Sequence, residues 1–102
     1  MMDFSKISTG EETEVRLTGR LEFTDHDRLR DIVELLDHPG TRRFIVALSE
    51  LEFIDSAGLG MLLILQEEAE QRNVKMIVRG ARGDVKRSID LARLDEIITI
   101  EP

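Results

Sequence analysis

The period of apolar and polar residues changes along the chain, and each change marks an element. Residues 4–10 are short and mixed and read as an edge strand ending at Gly10. Glu14-Val15-Arg16-Leu17-Thr18 alternates polar with apolar, the pattern of a half-buried strand, and Gly19 closes it. Thr24-Asp25-His26-Asp27 offers a hydroxyl or carboxylate as cap and negative charge in a first helical turn. Leu29, Ile32, Val33 and Leu36 follow at i, i+3, i+4, i+7, one stripe of an amphipathic helix, and Pro39-Gly40 ends it. Phe44 to Leu48 is an unbroken apolar run, which predicts a strand covered on both faces. Ser49 to Ile54 reads as a short link, and Asp55-Ser56 opens a helix that runs to about Arg72. Val74 to Val78 is a further strand. Gly83-Asp84 caps a third helix with Val85, Ile89 and Ala92 on one face, and Ile97 to Ile100 is the last strand.

Strands alternating with helices predict a mostly parallel sheet with right-handed crossovers. No helix separates the first two strands, so they pair antiparallel. The expected fold class is α/β, with about five strands, an antiparallel N-terminal strand and three to four helices. At 102 residues the chain has length for one core and not two, so residues 1–102 are expected to form one domain.

Composition narrows the chemistry. A net charge of −7 repels nucleic-acid phosphates and anionic lipid, so neither nucleic acid nor membrane is an expected partner. The absence of cysteine excludes thiolate chemistry, and His26 and His38 are the only histidines. Asp25-His26-Asp27 are neighbours that do not converge as ligands, so no metal is expected, and no cofactor. Glu67, Glu68 and Glu70 read as a solvated helix face. Lys75, Arg79, Arg82, Lys86 and Arg87 read as solvated charge, or as a contact for an acidic partner or a nucleotide phosphate. No phosphate-binding Gly-Lys-Ser/Thr loop is present, and residue 54 is Ile where a nucleophile elbow around Ser56 needs Gly. The chain is therefore not expected to be an enzyme. The start lacks the pattern of a secretory signal, and the apolar runs are far short of a membrane span, so a cytoplasmic location is expected.

The informative segment is Asp55-Ser56-Ala57-Gly58-Leu59-Gly60. It stands where a strand unit passes into a helix, the edge of a parallel sheet at which ligands and partners meet a protein. Two readings fit it. Asp55 or Ser56 caps the helix and the glycines relieve packing against a strand. Alternatively, Gly58 and Gly60 admit the backbone of another molecule beside an exposed serine. In the helix that follows, Leu59, Leu62, Leu63 and Ala69 fit a core-facing stripe. Met61 and Leu65 share the neighbouring face, available to the core or to a partner.

The stretch Leu51 to Gly60 resembles the signature of STAS domains, specifically of bacterial anti-sigma factor antagonists. Leu17-Thr18-Gly19-Arg20-Leu21 resembles the second strand of that family, and Val85-Lys86-Arg87 with Leu91 and Leu94 its third-helix region. The resemblance runs from about residue 13 to 100. It departs at Glu22 to His26, where many members carry an Asp followed by small residues, in a region that faces partners.

The resemblance implies a STAS fold and a partner-switching function. Unphosphorylated, such a protein binds an anti-sigma factor that is often itself a serine kinase. Phosphorylation releases it, and a serine phosphatase reverses the change. Carried onto this sequence, Ser56 is the phosphorylation site. Partner contact falls to Asp55, Ser56, Ala57, Gly58, Gly60, Met61 and Leu65, with Thr24 and Asp25. The same fold also serves as an adaptor subunit of regulatory, secretion or transport complexes, and some members bind nucleotide.

Overall fold

A computed structural model describes residues 1–102. Five strands form one sheet in the order β1-β2-β3-β4-β5. They are β1 (Met2–Thr9), β2 (Glu12–Leu21), β3 (Arg43–Ile54), β4 (Lys75–Arg79) and β5 (Thr99–Glu101). β1 and β2 are antiparallel, and every other pair is parallel. The helices α1 (Leu29–Leu35), α2 (Ser56–Gln71) and α3 (Gly83–Leu91) supply the crossovers, with 3₁₀ turns at Phe23–Arg28 and Leu94–Glu96. The expected mixture of one antiparallel pair and a parallel remainder is the observed one.

All three helices bury their apolar stripes in one core. Ile32, Leu36, Leu62, Leu65, Val85 and Ile89 pack with Val15, Leu17, Phe44, Val46, Leu48, Met76 and Val78 from a single face of the sheet. The run Phe44 to Leu48 is buried on both faces, as its pattern predicts, but the helices pack on only one of them. Ile45, Ala47 and Ile77 point the other way, yet Ile45 is 0% and Ile77 2% exposed. Their register neighbours there are Glu14, Arg16, Arg79 and Thr99. Long side chains lay their aliphatic stems over the small apolar centre and keep their charges in water. The charges pair as Arg16–Glu14 at 3.6 Å, Arg43–Glu12 at 3.4 Å and Arg79–Glu101 at 3.0 Å.

The segment expected to be a link, Ser49 to Ile54, is the second half of β3. Ser49, Glu50 and Glu52 are exposed, while Leu51 and Ile54 are buried. Register shifts between Arg16 and Thr18 and between Gly19 and Arg20 keep β2 paired with this stretch, ending at Leu21 opposite Ile54. Gly19 stands at φ +84° at the second shift, and a Cβ there would lie 2.5 Å from the Met1 carbonyl oxygen, so both the backbone conformation and the approach of β1 call for glycine. At the other end of the chain, Ala92 and Ile97 are exposed, and Leu94 and Ile98 close the core in their place.

The core stripe of α2 is Gly58, Met61, Leu62, Leu65 and Ala69. Leu59 and Leu63 are half-buried on its flank. The far end of α2 is tied to the turn after α1 through Arg72, which donates to Asp37 at 2.7 Å and to Glu68 at 2.8 Å. Those two hydrogen bonds, that to Asp37 foremost, raise the Arg72 pKa.

Candidate functional site

β3 delivers the chain to the start of α2 directly beside the end of β2. Asp55 makes the turn in an extended conformation and caps the helix. Its Oδ1 accepts the Gly58 amide at 2.8 Å, and its Oδ2 accepts the Phe23 amide at 3.2 Å. Its own amide donates to the Leu21 carbonyl at 3.2 Å, and its carbonyl accepts the Leu59 amide at 3.0 Å. One residue thereby joins β2, the Phe23–Arg28 turn and α2.

The two glycines of the motif do different work. Gly58 is buried, and a Cβ on it would lie 2.5 Å from the Leu21 carbonyl oxygen and 2.7 Å from Ile54 Cγ1. Its missing side chain lets α2 rest on β2, so it admits the protein's own backbone and not a partner's. Gly60 has nothing within 4 Å of the place a Cβ would take. No internal contact calls for a glycine there, and the open space faces outward.

Ser56 is the first residue of α2 and is exposed, with no hydrogen bond from its hydroxyl to the rest of the protein. Gly60 and Ile64 lie one and two turns further along the same outward face. Ile64 is 47% exposed and Phe23 is 66% exposed. The Phe23 ring stacks on His26, with centroids 5.1 Å apart. Ser56, Gly60 and Ile64 thus follow one another along α2, and the exposed Phe23 belongs to the turn that Asp55 ties to the helix start.

Other expected contact residues lie elsewhere. Thr24 is exposed beside Phe23. Asp25 is 1% exposed and faces inward, accepting the Met2 amide at 3.0 Å and the Glu22 amide at 2.9 Å. A carboxylate with two backbone donors is satisfied inside the protein, so Asp25 offers no partner surface; it closes the start of the Phe23–Arg28 turn as one half of a capping box with Glu22. Met61 and Leu65 are core residues, 5% and 2% exposed, because the helix phase places them over the sheet. Phe23 and Ile64 hold the exposed apolar positions instead. The signal for Phe23 was available as a lone aromatic in a polar stretch, and that for Ile64 as the fourth residue of an all-apolar run.

The residues of the basic segment do not gather at this site. Arg79 pairs with Glu101, Lys86 with Asp90 at 2.8 Å, and Arg82 donates to the Ser49 carbonyl at 2.7 Å. No three His, Asp or Glu side chains are grouped to hold a metal ion. No helix is long and apolar enough to cross a membrane.

The fold that carries this site has counterparts among known proteins. A family model described as "Mlab, STAS domain" matches residues 4–100. The chain is 28% identical over 91 residues to a STAS-domain containing protein of Pseudomonas aeruginosa (strain UCBPP-PA14), covering 89% of each. It is 30% identical over 87 residues to an anti-sigma F factor antagonist of Paenibacillus polymyxa, covering 84% of this chain and 74% of the relative. An anti-sigma factor antagonist from Mycobacterium paratuberculosis has the same fold, with a TM-score of 0.85 at 21% identity over 100% of this chain and 86% of that one. So has the Bacillus cell fate determinant SpoIIAA in its phosphorylated form, with a TM-score of 0.69 at 20% identity over 96% and 90% of the two chains.

Proposed function

The chain belongs to the STAS-domain family, and from that premise we propose that it is an anti-sigma factor antagonist acting by partner switching. Unphosphorylated, it binds an anti-sigma factor. A serine kinase, the anti-sigma factor itself or a dedicated enzyme, phosphorylates Ser56 and ends the complex. A serine phosphatase restores the binding form. The protein is the substrate of these enzymes and catalyses nothing itself, and its place of action is the cytoplasm.

The observation that carries this reading is the exposed Ser56 hydroxyl in the first turn of α2, beside a cap carboxylate with both oxygens already bonded. A phosphate there brings about −1.5 to −2 charges at pH 7. The helix N-terminus favours that charge within the protein, so the fold tolerates it. In a closed contact with Phe23, Gly60 and Ile64 the same charge is desolvated and unpaired, at a cost of several kcal/mol. About 4 kcal/mol weakens binding roughly a thousandfold. Ala57 and Thr24 complete the proposed contact surface.

Titration calorimetry against the anti-sigma factor recovered by affinity capture tests this. Ser56→Asp is expected to lower affinity by about a thousandfold and Ser56→Ala to preserve it. Equal affinities refute the switch. A second reading, an adaptor subunit of another complex, draws on the family description, which does not name sigma regulation. It uses the same surface with residue 56 never modified. Mass spectrometry of Ser56 from cells separates the two.

A further inference from the structure

The buried carboxylate of Asp25 has no place in the proposed switch. We infer that Asp25 is the positioning residue of the site: it fixes from behind the Glu22–Phe23 backbone that Asp55 holds in front, and so sets where the Phe23 ring stands beside Ser56.

The geometry runs through four hydrogen bonds. Asp25 Oδ1 accepts the Met2 amide at 3.0 Å, which ties the turn to the start of β1. Asp25 Oδ2 accepts the Glu22 amide at 2.9 Å. The next amide along, that of Phe23, donates to Asp55 Oδ2 at 3.2 Å. The other oxygen of Asp55 holds Gly58 in the first turn of α2 at 2.8 Å. Two successive amides of one exposed segment are thus gripped by carboxylates from opposite sides. The rear carboxylate is 1% exposed and therefore shielded from water competition. The front one belongs to the residue that precedes Ser56. Arg28 reinforces the rear grip by donating to the Met2 carbonyl at 2.9 Å. Phe23 itself is 66% exposed and has only His26 as a stacking partner, so its own packing does not fix it. Its position comes from its backbone.

The clamp stands on these distances alone, whereas its role in partner choice rests on Ser56 being the switch. Backbone amide exchange followed by NMR tests the clamp in the whole protein. Asp25→Asn turns one acceptor into a donor that faces an N–H. We expect exchange at Glu22 and Phe23 to rise about tenfold or more, with β3 amides unchanged. Asp55→Ala, which removes both acceptors, is expected to release Phe23 and Gly58 but not Glu22. Val85→Ala, a core change remote from the turn, controls for general loss of stability and should raise exchange evenly. If Asp25→Asn moves Phe23 no more than the β3 amides, or only as Val85→Ala does, the clamp is refuted. A second measurement addresses function. Asp25→Asn is expected to lower affinity for the captured anti-sigma factor at least tenfold, and Val85→Ala to leave it unchanged. Wild-type affinity in Asp25→Asn overturns the positioning role. If the unmutated protein itself binds no anti-sigma factor, the partner-switching reading fails, and the exchange result still decides the clamp.

Discussion

Two turns at the same edge of the sheet each lead from a parallel strand into a helix, and they are built very differently. At the start of α2, Asp55 bonds with every polar group it has, and Gly58 presses the helix onto β2. At the start of α3, Arg82 occupies the cap position and gives the helix no side-chain bond, while Gly83, at φ +58°, has nothing within 4 Å of a Cβ. One hydrogen bond from the Arg82 side chain to the Ser49 carbonyl links that turn to β3. Topology makes both places available for a site. What distinguishes the first is that its exposed groups stand on backbone held from three elements. An exposed serine on α2 stands beside a cap that bonds to two other elements, and an exposed residue at the start of α3 has no such cap beside it.

Breaking the α2 turn should cost most at Gly58. Gly58→Ala sets a methyl against backbone that cannot yield. Overpacking of this kind should cost about 2–3 kcal/mol, read as a lowered midpoint of urea unfolding. A loss below about 0.5 kcal/mol would mean that α2 lifts off β2 easily and that the comparison is wrong. Next in size is Asp55→Ala, which removes a helix cap and the Phe23 tie and should cost about 1–2 kcal/mol. Its counterpart Arg82→Ala should stay within about 0.5 kcal/mol, as surface changes do. Equal losses at the two positions would erase the difference between the turns. The smallest effect is expected at Gly60, and its sign is opposite. With open space around it, Gly60→Ala should stabilise the helix by up to about 1 kcal/mol. It should also weaken the anti-sigma complex in the same calorimetry. Gain of stability without loss of binding would remove Gly60 from the contact surface.

Much of this was legible in the residues. The unbroken run Phe44 to Leu48 and the helical stripes between strands announced a mostly parallel sheet, and the missing helix between the first two strands announced their antiparallel pairing. The phase of α2 was harder. Its core stripe begins at Gly58, which has no side chain to register as apolar, and the next turn is apolar on every side. Leu59 and Leu63 therefore matched a stripe as well as Met61 and Leu65 did. Asp25 was opaque for another reason. A carboxylate in a first helical turn reads alike whether it faces water or reaches inward to Met2, a residue far away in sequence. Ser49 to Ile54 hid its strand because half its side chains face solvent. The Asp55-Ser56 start of α2 is legible because cap, serine and glycine are local signals that do not depend on distant residues.

The contact between Gly58 and β2 also bears on time. A helix seated this closely on a strand's carbonyl, with its cap residue bonded to that strand, holds the serine at its tip in register with the sheet. Adding a charge to such a serine changes what the surface repels without first moving the frame. The response of the protein then has no slow internal step of its own. Under the proposed switch, its speed would be that of the enzymes that add or remove the group, and of the partner's departure.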